Sequence, residues 1–172
     1  MAGRKTMTGR YIPQNPSKYM GNPNQIIFRS SWELSVCKFF DSSAAVVRWA
    51  SETISLPYIS PKDARRHLYY PDFLAAIIDA QGKTQQILIE VKPLKETDMK
   101  FAKTDADRMT IAINQAKWDA AKAFCSLNGL KFQVITELDI FKLAPPKPRK
   151  NKIKKPTIKK PTIAKKTTGT KK

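Results

Sequence analysis

The chain has 172 residues, a formal net charge of +18 and 41% apolar residues, which suits one domain with terminal extensions. Its longest apolar run, residues 73–78, is far shorter than the roughly 20 residues of a membrane-spanning helix, and residues 1–15 lack the apolar stretch of a secretory signal. Cys37 and Cys125 stand apart, without a C-x-x-C motif, which argues against a zinc site or a disulfide framework. We therefore expect neither a membrane protein nor an exported one.

The positive charge is concentrated towards the C-terminus. Residues 145–172 contain twelve basic residues and no acidic one. A Lys/Pro/Thr-rich segment without aromatic residues cannot bury enough surface to offset the entropy of ordering, so a disordered basic tail is predicted over residues 144–172. So dense a charge favours a nucleic-acid partner over the alternative of a solubilising tail. The predicted DNA-binding residues of the tail are Lys147, Arg149, Lys150, Lys154, Lys155, Lys159 and Lys160.

The folded domain is predicted over residues 28–143. Residues 1–27, rich in Gly, Pro, Asn and basic residues, show no period of 2 or 3.6 and are expected to form an N-terminal arm. A first helix opens at Ser30, where apolar residues begin to recur at helical spacing. Four short segments rich in β-branched or aromatic residues, separated by turn signals, predict antiparallel strands over residues 45–50, 53–58, 68–78 and 84–91.

A second helix is predicted over residues 105–127, because Met109, Ile113 and Ala116 begin a helical period that Asn128-Gly129 ends. A last strand over residues 132–135 and a short helix over residues 138–143 follow. This order of elements predicts an α/β chain of the mixed α+β kind, with a central mixed sheet flanked by helices. The three tryptophans occupy periodic apolar positions and are predicted to lie in the core.

Three charged residues on two predicted strands form a candidate catalytic group. Strand alternation puts Glu90 and Lys92 on one face, and a hairpin through the Gly82 turn brings Asp72 beside Glu90. Two adjacent carboxylates repel each other unless a cation lies between them, and their oxygens are ligands that Mg²⁺ accepts. A neighbouring lysine can orient or deprotonate the attacking water. The alternative is a structural ion pair with no metal.

Pro71-Asp72 followed by Glu90-Val91-Lys92 resembles the short motif of the PD-(D/E)xK nuclease superfamily. The predicted order of strands and helices is similar to the restriction-endonuclease-like core of that superfamily. A wider resemblance is to the head-completion nucleases of T-even-like tailed bacteriophages and to the transposition endonuclease subunit TnsA. It is carried by residues 11–16, 28–34, 69–73 and 89–93.

The resemblance implies a Mg²⁺-dependent DNA endonuclease, in which Mn²⁺ can substitute. It makes Asp72, Glu90, Lys92 and Glu33 catalytic, with Glu33, Asp72, Glu90 and the Val91 carbonyl as metal ligands. Lys92 would position the attacking water. For Glu33 an alternative stays open, because Ser30-x-x-Glu33 is also a capping box that completes the first helix.

Four more residues of the domain are candidates for DNA contacts, and each has a structural alternative. Arg29 can bind a phosphate at the helix start or form an ion pair there. His67 can contact DNA or be an ordinary surface residue of a strand. Gln115 and Lys117 can reach a phosphate or lie on a solvated helix face.

The resemblance also implies the biological setting: head completion after DNA packaging, in the host cytoplasm during assembly and in the virion head. The implied partners are DNA and phage head, portal or neck proteins, with no membrane; a homodimer stays open. Two other functions remain open as well. One is a non-catalytic DNA-binding head or neck protein, and the other is a junction-resolving or repair nuclease.

Overall fold

The computed structural model describes residues 7–143, with only the backbone for residues 141–143. The predicted tail and its DNA-binding residues Lys147, Arg149, Lys150, Lys154, Lys155, Lys159 and Lys160 lie outside the described residues. In chain order, the strands and helices are β1 (Gly9–Tyr11), β2 (Ile26–Phe28), α1 (Ser31–Ser42), β3 (Val46–Ser51), β4 (Leu56–Ile59), β5 (Arg66–Tyr69), β6 (Phe73–Ile78), β7 (Thr84–Val91), α2 (Asp105–Asn128), β8 (Lys131–Ile135) and α3 (Glu137–Leu143).

A four-stranded mixed sheet, in the order β3-β6-β7-β8, forms the centre of the domain. β3, β6 and β7 are antiparallel, and β8 is parallel to β7. The predicted alternation along β7 is present, since Ile89 and Val91 pack on one face and Leu88 on the other. The predicted fold class is confirmed.

Each face of the sheet has its own hydrophobic core. On one face, α1 and α3 pack with β1 and β2 around Trp49, which is fully buried. On the other face, α2 packs with β4 and β5 around Trp118. Trp32 lies partly buried against the first core, so the predicted core role of the three tryptophans is confirmed. Among the described residues, no helix is long and apolar enough to cross a membrane.

The helix boundaries follow local signals. Ser30 caps α1 by accepting a hydrogen bond from the Glu33 amide at 3.1 Å. Thr104 and Asp107 form a capping box at the start of α2. Gly129 ends α2 with φ +66, a left-handed conformation that other residues adopt at a cost.

The prediction of one continuous strand over residues 68–78 was wrong, because two separate strands, β5 and β6, occupy this region. β5 pairs with β4 in a separate two-stranded sheet, whereas β6 pairs with β3 and β7. The chain changes sheets at residues 70–72, where Pro71 has no amide hydrogen to continue a ladder. The break places Asp72 at the start of β6, at the edge of both sheets.

The expected N-terminal arm is, from residue 7 on, packed against the domain. β1 pairs with β2, and Tyr11 is buried. The carboxylate of Asp41 on α1 accepts hydrogen bonds from the Tyr11 hydroxyl and from the Gln14 and Asn15 amides, at 2.7 to 2.8 Å. Periodicity could not reveal this segment, because a distant side chain holds it rather than a repeating apolar face.

We predict that Asp41→Asn lowers the free energy of unfolding by about 2 kcal/mol, since one acceptor oxygen is replaced by an NH₂ group that faces backbone donors. Burial alone would raise the pKa of Asp41, but these hydrogen bonds outweigh it and the pKa is lowered. The stabilisation by ionised Asp41 is therefore complete above about pH 3.9, the pKa of an ordinary Asp side chain. It is lost as the pH falls through the lower pKa of Asp41 in the folded protein.

Urea unfolding of both proteins at pH 7 and at pH 3 measures this difference. The control is Asp119→Asn on the exposed surface of α2, where Asp119 pairs with Lys122. Equal stability of wild type and Asp41→Asn at pH 7 would contradict the prediction.

Candidate active site

Asp72 and Glu90 lie side by side on the α2 face of the sheet. Phe73 pairs with Ile89 across the β6–β7 ladder, so their neighbours Asp72 and Glu90 lie at the same end of it. Oδ2 of Asp72 accepts a hydrogen bond from the Val91 amide at 2.7 Å. Glu90 is buried, with 2% of its surface exposed. The structure thus brings together the two carboxylates that the sequence places on consecutive strands.

Both oxygens of Glu90 have partners. Oε1 lies 3.1 Å from Nζ of Lys92, and Oε2 accepts a hydrogen bond from the Tyr69 hydroxyl at 2.7 Å. Tyr69 is the last residue of β5 and is buried. The sequence shows only an aromatic residue before Pro71, with no signal that its hydroxyl reaches a carboxylate 21 positions away. Tyr69 is therefore a site residue that sequence reasoning missed.

The neighbouring Glu90 shifts the titration of Asp72. Burial and the charge of Glu90 raise the pKa of Asp72 to about 8, against the opposing effects of the Val91 amide and Lys92. Burial alone would lower the pKa of Lys92, but Glu90 and Asp72 outweigh it and the pKa is raised. At neutral pH the site therefore combines a charged Lys92 with an Asp72 carboxyl group that favours its protonated form.

Gln115 and Lys117 are half-buried on α2, and both contact other parts of the chain. Nε2 of Gln115 donates to the Thr97 carbonyl at 2.9 Å. Lys117 is half-buried, and its Nζ lies 5.7 Å from the ring centroids of both Tyr58 and Tyr69. Burial is the main cause of its lowered pKa. Phosphate contact by either residue stays a prediction.

Glu33 completes the start of α1, in line with the capping alternative, although it accepts the Arg29 amide bond rather than the Ser30 amide bond of a capping box. Its Oε1 accepts a hydrogen bond from the Ser30 hydroxyl at 2.8 Å, and its Oε2 accepts one from the Arg29 amide at 2.7 Å. Its charge still contributes to the raised pKa of Asp72. The metal-ligand role of Glu33 stays a prediction, and it would require these capping bonds to be exchanged for a cation.

Arg29 forms an ion pair with Glu52, in line with the structural alternative for Arg29. Glu52 follows β3, and its φ of +50 is in the left-handed region that non-glycine residues rarely adopt. Its amide donates to the Asp72 carbonyl at 3.1 Å. Glu52 therefore connects the end of β3 to the backbone of Asp72, and no local signal in the sequence identifies it.

His67 occupies an exposed position on β5. Its Nε2 lies 2.9 Å from a carboxylate oxygen of Asp63, and 44% of its side chain is exposed. This placement matches the alternative of a surface strand residue. DNA contact by His67 stays a prediction.

Two comparisons with known proteins identify the family. Residues 43–137, more than half of the chain, match the sequence model of the TnsA-like endonuclease N-terminal domain. The chain is also 34% identical over 140 residues to the head completion nuclease of Enterobacteria phage T4, covering 76% of this chain and 91% of the relative. The chain belongs to the TnsA-like endonuclease family. The predicted nuclease resemblance is thus confirmed, and the family match includes Asp72, Glu90 and Lys92.

The fit of a divalent cation to this TnsA-like endonuclease rests on the carboxylate pair. Within residues 7–143, no group of three or more His, Cys, Asp or Glu side chains is arranged to hold a metal ion. Asp72 and Glu90 nevertheless provide two adjacent carboxyl groups, one half-buried and one buried, and the charge of Glu90 disfavours ionisation of Asp72. Hard oxygen ligands of this kind suit Mg²⁺, which usually binds one or two carboxylates and keeps several waters. The residues present therefore fit the metal.

We predict that Asp72→Asn stabilises the metal-free TnsA-like protein at pH 8. Folded Asp72 keeps its proton to about pH 8, whereas the unfolded chain releases it near 3.9. Stability conferred by this group is therefore lost as the pH rises from about 4 to about 8. The variant should be more stable than wild type at pH 8, and the gap should close towards pH 4.

The measurement is urea unfolding in EDTA at pH 4.5 and pH 8, with the exposed Asp98→Asn as control. Asparagine can still accept the Val91 amide bond, so the comparison isolates the charge. A variant that is less stable than wild type at both pH values would contradict the prediction.

Proposed function

We propose that the chain is a metal-dependent DNA endonuclease that hydrolyses phosphodiester bonds during phage head completion, after DNA packaging. The observation that carries the chemistry is the Asp72–Glu90 pair beside Lys92, in a chain of an endonuclease family. The setting is supported by the similarity to the head completion nuclease of phage T4, most of whose length is covered. The protein would act in the host cytoplasm during assembly, and in the virion head.

Asp72, Glu90 and the Val91 carbonyl are the proposed ligands of Mg²⁺, or of Mn²⁺ in its place. When bound, the ion supplies a Lewis acid that polarises the phosphodiester and activates a water. The fixed orientation of the two carboxylates comes from the chain itself. The Val91 amide holds Asp72, and the Tyr69 hydroxyl holds Glu90.

Lys92 is proposed to orient the attacking water and to offset the charge that develops on the phosphate. Its side chain is 27% exposed, so the ammonium group reaches solvent while it remains 3.1 Å from Glu90. Because its pKa is raised, Lys92 is charged at neutral pH. A charged lysine donates hydrogen bonds rather than accepting a proton, so we assign it electrostatic stabilisation rather than general-base catalysis.

We predict that Lys92→Met reduces nicking of supercoiled plasmid by at least about 100-fold in Mg²⁺, since a charged donor to the developing charge is lost. The matched control is Lys100→Met, which removes an exposed lysine paired with Asp98. Full-length proteins are compared in Mg²⁺, Mn²⁺ and EDTA, and thermal melts verify folding. Wild-type nicking by Lys92→Met, or nicking that persists in EDTA, would refute the proposed chemistry.

One observation favours the non-catalytic alternative, a DNA-binding head or neck protein. Glu33 is occupied in the cap of α1, and no three-ligand group occurs within residues 7–143. The alternative expects retarded but uncut plasmid in every metal. The same nicking assay, followed by gel retardation of the plasmid, separates the two functions.

We predict that Glu33→Gln separates capping from metal binding. The glutamine oxygen can still accept the Arg29 amide bond, so α1 keeps its start, but the negative charge is lost. If Glu33 is the third ligand, nicking at limiting Mg²⁺ should fall at least about tenfold at an unchanged melting temperature. Glu33→Ala, which loses the cap, should also lower stability by about 1 kcal/mol. Nicking by Glu33→Gln at the wild-type Mg²⁺ requirement would show that Glu33 only caps.

A further inference from the structure

The hairpin of β4 and β5 is joined to the carboxylate pair at both of its ends. It lies outside the central sheet, in a two-stranded sheet of its own. Before β4, the Glu52 amide donates to the Asp72 carbonyl at 3.1 Å. At the end of β5, the Tyr69 hydroxyl donates to Glu90 at 2.7 Å. The base of the hairpin therefore lies next to the proposed site of cleavage.

One face of the hairpin packs against α2, whereas its turn is exposed to solvent. Leu56 and Tyr69, paired across the two strands, are buried in the core around Trp118. Residues 61–68, which form the turn and most of β5, are all exposed. The hairpin therefore has a fixed base and a projecting end, which we call the hairpin tip and define as residues 60–66.

The hairpin tip is an ordered turn. The Ser60 amide donates to the Arg65 carbonyl at 2.9 Å, and the Ala64 amide donates to the Ser60 carbonyl at 2.8 Å. Ala64 has φ +54, a left-handed conformation that costs free energy outside glycine. An ordered turn loses little entropy when a partner binds to it.

The hairpin tip presents positive charge that the described chain does not neutralise. Lys62, Arg65 and Arg66 are exposed, and within residues 7–143 none of them forms an ion pair. The one acidic residue of the turn, Asp63, is used locally: it accepts the Arg65 amide bond at 3.1 Å and lies 2.9 Å from His67. By contrast, Arg29 is held by Glu52. The hairpin tip thus carries three exposed cations that no carboxylate of residues 7–143 pairs with.

We propose that the hairpin tip binds the sugar–phosphate backbone of duplex DNA next to the phosphodiester that is cleaved. The choice of DNA as the ligand rests on the proposed function, and the position of the DNA contact rests on the hairpin geometry. At about 3.3 Å per residue, Arg66 lies roughly 10 Å along β5 from Tyr69. That distance corresponds to about three base pairs of duplex. Lysine and arginine at this spacing bind phosphates and fix the register of the DNA, without reading its sequence.

The test compares two triple variants of the full chain that lose the same charge. The first is Lys62→Ala, Arg65→Ala and Arg66→Ala. The control is Arg48→Ala, Lys83→Ala and Lys131→Ala, three exposed residues that belong to the central sheet and its β6–β7 turn. Binding of a fluorescein-labelled 30-base-pair duplex is followed by anisotropy in EDTA, where no cleavage occurs, at several KCl concentrations.

The tip variant should bind DNA at least about tenfold more weakly than the control at 0.1 M KCl. The slope of log affinity against log KCl concentration should be smaller in magnitude by about 2 to 3, since each phosphate contact contributes about 0.9 to it. Equal affinity and equal slope of the two triple variants would overturn the proposal, and would point to a protein partner for this surface. If the tip variant melts at a lower temperature than wild type, the single variants Lys62→Gln and Arg66→Gln are tested in the same way. Each should reduce the magnitude of the slope of log affinity against log KCl concentration by about 0.9.

The outcomes for binding and for cleavage are separable. Wild type that binds through the hairpin tip but never nicks plasmid supports the DNA contact and refutes the nuclease. Wild type that nicks plasmid, with a tip variant that binds and nicks like the control, supports the nuclease and overturns the DNA contact.

Discussion

The close approach of two carboxylates, the half-buried Asp72 and the buried Glu90, is the constraint on which the rest of the site depends. Asp72 cannot ionise freely beside Glu90, and hydrogen-bond donors hold both groups in place. These donors are the Val91 amide at the end of β7, the Tyr69 hydroxyl of β5 and the Lys92 ammonium group just after β7. Ionisation of Asp72 stays unfavourable, as its raised pKa shows. A divalent cation that binds to the carboxylates can offset this cost.

The change of sheet at residues 70–72 explains why these groups meet. Because Pro71 ends the β4–β5 ladder and Asp72 opens the central one, the last residue of the hairpin and the first carboxylate are almost adjacent in sequence. The same break gives the hairpin its freedom to project beyond the sheet. The proposed DNA contact and the proposed chemistry thus both follow from one interruption of strand pairing.

Much of this arrangement was predictable, and the remainder has physical reasons for being missed. Alternation along β7 and the Gly82 turn were enough to place Glu90, Lys92 and Asp72 together, since both signals are local. The role of Tyr69 and the pairing of Glu52 with Asp72 depend on contacts between segments that no period connects. The N-terminal segment was expected to be an arm because the Asp41 carboxylate, rather than an apolar repeat, holds it in place.

The most direct test of the carboxylate pair is a calorimetric titration of the full chain with Mn²⁺ at pH 7, in two buffers of different ionisation enthalpy. If Asp72 holds a proton beside Glu90, Mn²⁺ binding must displace that proton. The apparent binding enthalpy should then differ between the two buffers by the difference in their ionisation enthalpies multiplied by about one proton per site. Asp72→Asn should abolish both Mn²⁺ binding and proton release. Mn²⁺ binding without proton release, or equal binding by Asp72→Asn, would contradict the account.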